Sequence, residues 1–124
     1  MRRRYRLRDR ADFRAALGAG RVYSGPTLVA FARPRPDLSG ASRVGVTVSR
    51  QVRGAVHRNR ARRRVREAAR LRLLRDDSGL LRSGIPYDVV LIARPSALEA
   101  AFSAVLQDAE RVDRRLTAAQ RMKP

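Results

Sequence analysis

Residues 43–70, RVGVTVSRQVRGAVHRNRARRRVREAAR, place a short predicted strand directly before a basic helix. The segment RVGVTVS alternates valines with small or polar residues, which is the period-two pattern of a strand with one apolar face. The small and polar row leaves room for another group to lie on that side of the strand. The arginines that follow belong to a predicted helix from about Ala55 to Arg75. This strand and helix decide the fold, because the remaining elements must pack around them.

The predicted helix carries its charge on one side. Residues 57–70 contain seven arginines and a single acid, Glu67. On a helical wheel Asn59 lies in the middle of the basic arc, while Arg58 and Arg64 lie at its edges. The opposite side consists of small apolar residues, which are Ala61, Val65, Ala68 and Ala69. A solvated face normally mixes charge signs, so this face favours nucleic-acid binding, with arginine forks on phosphate oxygens.

Two more strands are predicted outside this unit. YDVVLIA, residues 87–93, is apolar without alternation, which indicates a central strand covered on both faces. We expect it to pair in parallel with RVGVTVS across the arginine helix, and the general rule makes such a crossover right-handed. TLVAFAR, residues 27–33, has the pattern of a further strand. Glycine and proline predict loops in PRPDLSGAS, residues 34–42, and DDSGLLRSGIPY, residues 76–87.

Two further helices complete the predicted fold. DRADFRAALGAG, residues 9–20, has Asp9 as its cap and a glycine near its end. PSALEAAFSAVLQDAERVDRRL, residues 95–116, is amphipathic, and Ser96 with Glu99 forms a capping box. The order of helix, strand, strand, helix, strand, helix predicts an α+β fold, a two-layer α/β sandwich with one small mixed sheet.

The composition indicates one small domain with an anionic partner. A chain of 124 residues has the size of one domain, which we place at residues 1–116, followed by a flexible tail at residues 117–124. The net charge is +18, and Lys123 is the single lysine among 29 basic residues. Such a charge destabilises a compact fold unless a partner neutralises it, and nucleic acid is favoured over an anionic membrane. The hydrophobic content of 44% is too high for a disordered basic tail.

The absence of cysteine and the short apolar runs indicate the cellular compartment in which the protein works. The chain has no cysteine, which excludes disulfides and thiolate metal sites and fits a reducing compartment. The longest apolar run, VVLIA at residues 89–93, is too short to span a bilayer. We expect a soluble cytoplasmic protein without membrane contact.

Candidate catalytic residues are scarce. His57 is the only histidine, which excludes a zinc site of histidines and cysteines and leaves no nucleophile pair unless His57 serves in it. Its position predicts that it opens the arginine helix. Asp76 and Asp77 adjoin in a loop and Asp88 begins a strand, so no acidic cluster indicates a two-metal nuclease. We therefore expect no catalytic residue and no metal site in this chain.

The stretch RVGVTVSRQVRGAVHRNRARRRVREAAR closely resembles the signature of the bacterial ribonuclease P protein subunit. The signature combines a valine-glycine strand ending in VS and a basic turn with a helix carrying Arg-Asn-Arg, one spacer and a basic pair. The flanks RLRDRADFRAAL, residues 6–17, and YDVVLIARP, residues 87–95, agree with it. The resemblance covers roughly residues 4–116.

The resemblance implies a fold and a function. The family fold is an α/β sandwich with a left-handed crossover between its parallel strands, contrary to the general rule. The family protein pairs with a large catalytic RNA, and together they cut the 5′ leader from precursor tRNA. The RNA and its Mg²⁺ ions carry out the hydrolysis, while the protein helps to bind the leader and lowers the magnesium requirement. The implied partners are the catalytic RNA and precursor tRNA, with no small-molecule substrate and no cofactor bound tightly by the protein.

The resemblance also implies site residues, matched position by position. Gln51 stands where the family often has a second base after VS, which puts that contact in doubt. Two aromatics of the leader-binding cleft match Phe13 and Phe31, whereas Leu17 replaces a third and loses its stacking surface. For Phe13 the alternative is ordinary core packing. The implied RNA-binding residues are Arg50, Arg58, Asn59, Arg60, Arg62, Arg63 and Arg66.

Other classes of protein share these physical features. A ribosomal or ribosome-assembly RNA-binding protein would use the same basic helix on a different RNA. A DNA-binding architectural protein would place the helix in a groove. An autonomous nuclease is a weaker third alternative. The nucleic acid that co-purifies with the chain would discriminate among these classes.

Overall fold

A four-stranded sheet with helices on both sides forms the body of the molecule. A computed structural model describes residues 3–37, 40–82 and 84–121. The strands are β1 (Arg21–Ser24), β2 (Leu28–Pro34), β3 (Arg43–Val48) and β4 (Tyr87–Ala93). The helices are α1 (Arg10–Ala19), α2 (Ala55–Arg72), α3 (Gly79–Arg82) and α4 (Phe102–Arg121), with short 3-10 turns at Arg3–Tyr5 and Pro95–Leu98.

β4 is an inner strand of the sheet, whose order is β1-β2-β4-β3. It runs antiparallel to β2 and parallel to β3, with Val46 opposite Leu91. Every residue of β4 is buried except Ile92, which is half-buried. The predicted α+β class, the mixed sheet, the parallel pairing across α2 and the doubly covered strand are therefore confirmed. The sequence analysis missed β1 and α3, each of which has four residues.

The two faces of the sheet are covered unequally. We call the face under α2 and α4 the closed face, and its strand residues include Leu28, Ala30, Val44, Val89 and Leu91. We call the other the open face, because α1 is the one helix of the described residues that lies across it. There Ala16 of α1 packs with Val90 of β4, and Phe31 of β2 lies beside them. α1 begins and ends as predicted: Asp9 Oδ1 accepts from the Ala11 N–H at 2.8 Å, and the helix stops at Gly20, whose φ is 121°.

The predicted capping box of Ser96 and Glu99 was wrong, because α4 begins later in the chain. Ser96 lies in a 3-10 turn, its hydroxyl donates to the Pro26 carbonyl, and the helix begins only at Phe102. The physical reason is a tertiary contact from α2. The guanidinium of Arg64 donates to the carbonyls of Ala97, Leu98 and Ala100, at 2.5–2.9 Å. Those carbonyls are the ones that a helix starting near Ser96 would use for its own first turns.

The end of α4 lies beyond the predicted boundary. The helix continues to Arg121, so the predicted tail from residue 117 is helical as far as the structure describes it, and residues 122–124 lie outside the described range. Leu116 is buried and closes the apolar side of α4. Within the described ranges, none of the helices combines the length and apolarity needed to cross a membrane.

Candidate nucleic-acid interface

α2 lies close to the sheet because its inner side is small. Ala61, Val65, Ala68 and Ala69 are fully buried, which confirms the helical wheel. The helix begins after Gly54, its N-cap residue, whose φ of 88° favours glycine. The opposite side of the helix, which we call the arginine face, carries Asn59, Arg60, Arg62, Arg63, Arg66 and Arg70.

The arginine face contains guanidinium groups without internal partners. Arg60 and Arg63 are exposed, and no described residue forms a hydrogen bond or ion pair with either side chain. Asn59 Oδ1 accepts from Arg62 at 2.9 Å, which leaves the NH₂ group of the exposed Asn59 side chain available to donate. Arg70 is the exception, because it pairs with Glu67 at 2.5 Å. The face therefore presents an excess of positive charge that the fold does not neutralise.

Arg66 strengthens this conclusion from its partly buried position. Its Nε atom is buried and has no hydrogen-bond partner among the described residues. Burial lowers the pKa of Arg66, and the positive charges of Arg6 and Arg62 nearby lower it further. Arg6 belongs to the segment that bridges to Val44 of β3, so three guanidinium groups converge at this edge of the sheet. A buried donor without a partner is costly, and an anion at this edge would relieve both the missing bond and the repulsion.

Arg58 and Arg64 of α2 bind backbone carbonyl groups instead. Arg58 donates to the carbonyls of Val48, Ser49 and Val52, at 2.9–3.3 Å, and so shapes the connection from β3 to α2. Arg64 binds the turn before α4, as described above. The helical wheel placed Arg58 and Arg64 at the edges of the basic arc. That position was the only sequence signal that these two arginines differ from the unpartnered ones. Arg58, expected to face RNA, has part of its donor capacity committed to the backbone.

The connection between β3 and α2 contains Arg50, the last of the predicted RNA-binding residues. Arg50 and Gln51 are exposed in this turn, and Val52 is buried beneath them. The Gln51 N–H donates to Ser49 Oγ at 3.2 Å. His57 is exposed in the first turn of α2, as its predicted place at the helix start requires. Arg50 thus extends the positive surface beyond the end of the helix.

The aromatic residues predicted for the cleft come together on the open face. Phe13 of α1 and Phe31 of β2 are both half-buried and pack against Leu7, Ala16 and Val90. The Phe13 ring fills the space over Gly45, where a Cβ atom would lie 2.4 Å from the ring carbon Cε2. The small row of β3 therefore does have a group lying on it, and that group is Phe13.

Leu17 lies one helical turn after Phe13 and is 37% exposed, so it is among the most exposed large apolar side chains of the described chain. Its spacing from Phe13 places both on the same side of α1. Phe13 and Phe31 contact the small open-face core and keep accessible ring surface, so packing and binding are compatible at these positions. The open face thus has a half-exposed apolar strip.

An ion network at one end of this strip was missed by the sequence analysis. The strand register aligns Arg33, Asp88 and Arg43 across β2, β4 and β3. Asp88 is fully buried and accepts from Arg43 at 2.8 Å and from Arg33 at 3.2 Å. Both arginines also pair with Asp12 of α1, Arg33 at 2.7 Å and Arg43 at 3.2 Å. The hydrogen bond to Asp88 raises the pKa of Arg43, although burial opposes the shift.

This network fixes α1 against the sheet and so sets the geometry of the aromatic strip. The sequence signal was an acid in the apolar segment YDVVLIA, because a buried carboxylate requires charged or hydrogen-bonding partners. The identity of those partners depends on strand register, which the sequence pattern does not specify.

Known proteins resemble this chain over nearly its whole length. The family model described as Ribonuclease P matches residues 1–117 of the chain. The chain belongs to that family. The Ribonuclease P protein component of Chloroflexus aurantiacus is 43% identical over 109 residues, which cover 87% of this chain and 74% of that protein. The component of Ruegeria pomeroyi is 43% identical over 113 residues, which cover 90% of this chain and 86% of that protein.

A solved structure shows the same fold. The RNase P protein of Staphylococcus aureus superposes with a TM-score of 0.65 at 24% identity, covering 93% of this chain and 94% of that one. The family model and the two relatives confirm the resemblance found in the sequence, and the solved structure confirms the fold. A role in tRNA processing, as part of an endoribonuclease ribonucleoprotein with an RNA subunit, follows from membership of the family. The ribosomal and DNA-binding alternatives find no support in these comparisons.

Proposed function

We propose that the chain binds the catalytic RNA of ribonuclease P through the arginine face and holds the 5′ leader of precursor tRNA on the open face. The observation that carries the first part is the set of guanidinium groups without internal partners, at Arg60, Arg63 and the Nε atom of Arg66. Arginine forms bidentate bonds with phosphate oxygens, and RNA offers these in a closely spaced row. Asn59 adds an amide that can donate to a sugar or base.

The open face supports the second part of the proposal. Bases of a single strand stack on aromatic rings with little sequence preference, which suits a site that must accept many leaders. Phe13 and Phe31 supply two partly accessible rings, and Leu17 supplies an apolar neighbour. Arg33 and Arg43 at the end of the strip are about one-fifth exposed and are paired with Asp12 and Asp88, so they order this end of the strip without adding net charge.

The chemistry of cleavage is assigned to the RNA subunit with its Mg²⁺ ions, which supply the activated water and stabilise the leaving oxygen. The acids nearest the aromatic strip, Asp12 and Asp88, are both engaged with guanidinium groups. Among the described residues no group of three or more histidines or acids is placed to hold a metal ion. In the proposed division of roles, Mg²⁺ is held mainly by the RNA.

The test is a binding experiment on paired arginines. Arg60→Gln with Arg63→Gln removes two unpartnered charges and leaves the buried side of α2 intact. A control of equal charge loss is Arg75→Gln with Arg82→Gln, since both residues are exposed outside α2. Affinity for the catalytic RNA is measured by filter binding over a range of salt concentrations.

We expect the α2 pair to lower the slope of log affinity against log salt by about 1.5, because each phosphate contact contributes about 0.7–0.9. The control pair should change the slope much less. Equal slopes for the two variants would contradict the assignment of the arginine face to RNA. The RNA that co-purifies with the wild-type chain identifies the partner independently.

A further inference from the structure

A second basic site lies on the far edge of the molecule. An open pocket of about 300 Å³ lies between β1 and the second half of α4. Tyr23 forms one wall, and the other lining residues are Arg111, Arg114, Arg115 and Ala118. All three arginines are exposed, and they fall within five consecutive residues of α4.

The acids of α4 are engaged in structural contacts that leave this pocket with an excess of positive charge. Asp108 is buried and accepts from the Tyr23 hydroxyl at 2.5 Å and from the backbone and hydroxyl of Thr27 at 2.9 and 2.5 Å. Glu110 lies 3.6 Å from Arg72 of α2. Asp113 accepts from the first two N–H groups of α3, at 2.9 and 2.7 Å. Glu110 and Asp113 thus have structural roles away from the pocket, whereas Asp108 is buried behind the Tyr23 hydroxyl and acts on Arg111 only as a nearby charge.

Tyr23 shapes the pocket without neutralising it. Burial raises the pKa of Tyr23, and the hydrogen bond to Asp108 raises it further, so the hydroxyl stays uncharged at neutral pH. The guanidinium of Arg115 lies 5.9 Å from the centre of the Tyr23 ring, and Arg111 lies beside the hydroxyl. No described carboxylate forms an ion pair with Arg111, Arg114 or Arg115. The tyrosine therefore holds two of the three arginines beside one opening.

This pocket and the arginine face lie toward opposite edges of the closed face, because α2 and α4 pack side by side on the same side of the sheet. β1 and β3 are the two outer strands, with α4 against β1 and α2 against β3. Three strand spacings of about 4.8 Å place these edges roughly 14 Å apart before the helices and side chains are added. One phosphate cannot touch both sites, so a partner that contacts both must extend across the two packed helices or supply two segments.

We propose that Arg111, Arg114 and Arg115, with Tyr23 as a wall, bind the sugar-phosphate backbone of a second RNA segment. The proposal rests on the proposed function, because it takes RNA as the partner of the chain. Phosphate fits this pocket better than a membrane surface does, since the lining offers guanidinium groups and no exposed large apolar side chain that could insert between lipids. The RNA segment belongs either to the catalytic RNA or to precursor tRNA, and the two differ in the experiment below.

The experiment uses Arg114→Gln with Arg115→Gln in the full chain, leaving Arg111 in contact with Tyr23. Two affinities are measured over a range of salt: that of the protein for the catalytic RNA, and that of the reconstituted holoenzyme for precursor tRNA. The pair Arg75→Gln with Arg82→Gln again controls for net charge, and thermal melting checks the fold. The pair Arg60→Gln with Arg63→Gln reports on the proposed function in the same assays.

We expect the α4 pair to weaken one of the two affinities about tenfold more than the control pair does, as for the loss of charged hydrogen bonds. A loss in the first assay assigns the segment to the catalytic RNA, and a loss confined to the second assigns it to precursor tRNA. Affinities equal to those of the control pair in both assays would overturn the proposal while the α2 pair still shows its loss. If the α2 pair also shows no loss, the proposed function itself fails.

Discussion

The closed and open faces of one sheet have different tasks. β4 contributes to both, since Val89 and Leu91 point into the closed face whereas Val90 and Ile92 point into the open face. On the closed face, α2 and α4 cover the strands with a large apolar core. On the open face, a single short helix covers part of the sheet, and the rest of the contact is a buried ion network and half-exposed rings. The comparison indicates that the closed face supplies most of the buried core, whereas the open face keeps accessible apolar surface, to which we assign binding of the leader.

The largest expected effect comes from a charge placed in the closed face. Val65→Asp puts a carboxylate at a fully buried position between α2 and the sheet. We expect it to lower the free energy of unfolding by about 4 kcal/mol or more, since an unpaired buried charge is among the most destabilising changes. Urea denaturation followed by circular dichroism measures this loss. Val56→Asp is the matched control, because Val56 is 77% exposed on the same helix; similar losses for both variants would refute the assignment of the buried side.

The ion network should give the next largest effect. Asp88→Asn removes the charge that compensates Arg33 and Arg43, and we expect a loss of about 3 kcal/mol, as for other broken buried ion pairs. Because the network fixes α1, affinity for precursor tRNA should fall as well. Asp76→Asn is the control on an exposed loop residue. A stable Asp88→Asn variant with unchanged melting temperature would show that the network does not hold the open face together.

Two phenylalanines compare the faces directly. Phe13→Ala should weaken holoenzyme binding of precursor tRNA by about tenfold, because base stacking contributes about 1–3 kcal/mol, and should leave mature tRNA binding unchanged. Phe102→Ala is the matched substitution on the closed side, where Phe102 is half-buried against the main core. It should lower the melting temperature without changing the ratio of the two affinities. The opposite pattern would make Phe13 a packing residue and Phe102 a binding residue.

The smallest effect is expected from restoring a ring. Leu17→Phe adds an aromatic surface at an exposed position one turn after Phe13. We expect precursor tRNA to bind a few-fold more tightly, a gain of about 1 kcal/mol or less, since the added ring is not pre-ordered by packing. The measurement is the same pair of tRNA affinities. An equal gain for mature tRNA would mean that Leu17 does not face the leader.

The sequence predicted the features that depend on local periodicity. The buried side of α2 at Ala61 and Val65 follows from helical spacing, and the burial of β4 follows from its unbroken apolar run. The predicted start of α4 was wrong because Arg64 donates hydrogen bonds to carbonyl groups of a distant segment. Local capping rules do not include such tertiary contacts. β1 was missed because Arg21–Ser24 has no alternating pattern and is ordered only by pairing with β2.

For the candidate site, the residue types were predictable and their partners were not. Arg58 and Arg60 are two residues apart in the same motif, yet one binds backbone carbonyls and the other has no described partner. The network around Asp88 requires the register of three strands, which appears only once β2 and β3 flank β4. The family resemblance predicted a cleft position for Phe13 and Phe31, and that prediction stays untested; what the structure adds is that both rings lie on the open face, with Phe13 in the space above Gly45.

The central claim is that the open face, and not the closed face, contacts the leader. The chain has three phenylalanines, of which Phe13 and Phe31 lie on the open face and Phe102 on the closed side. Fluorine NMR of the holoenzyme with fluorophenylalanine at all three positions, assigned by single substitutions, follows both faces in one sample. Addition of precursor tRNA should shift the Phe13 and Phe31 signals relative to mature tRNA and leave Phe102 unchanged. A shift of Phe102 alone, or no difference between the two tRNAs at Phe13 and Phe31, would contradict the account.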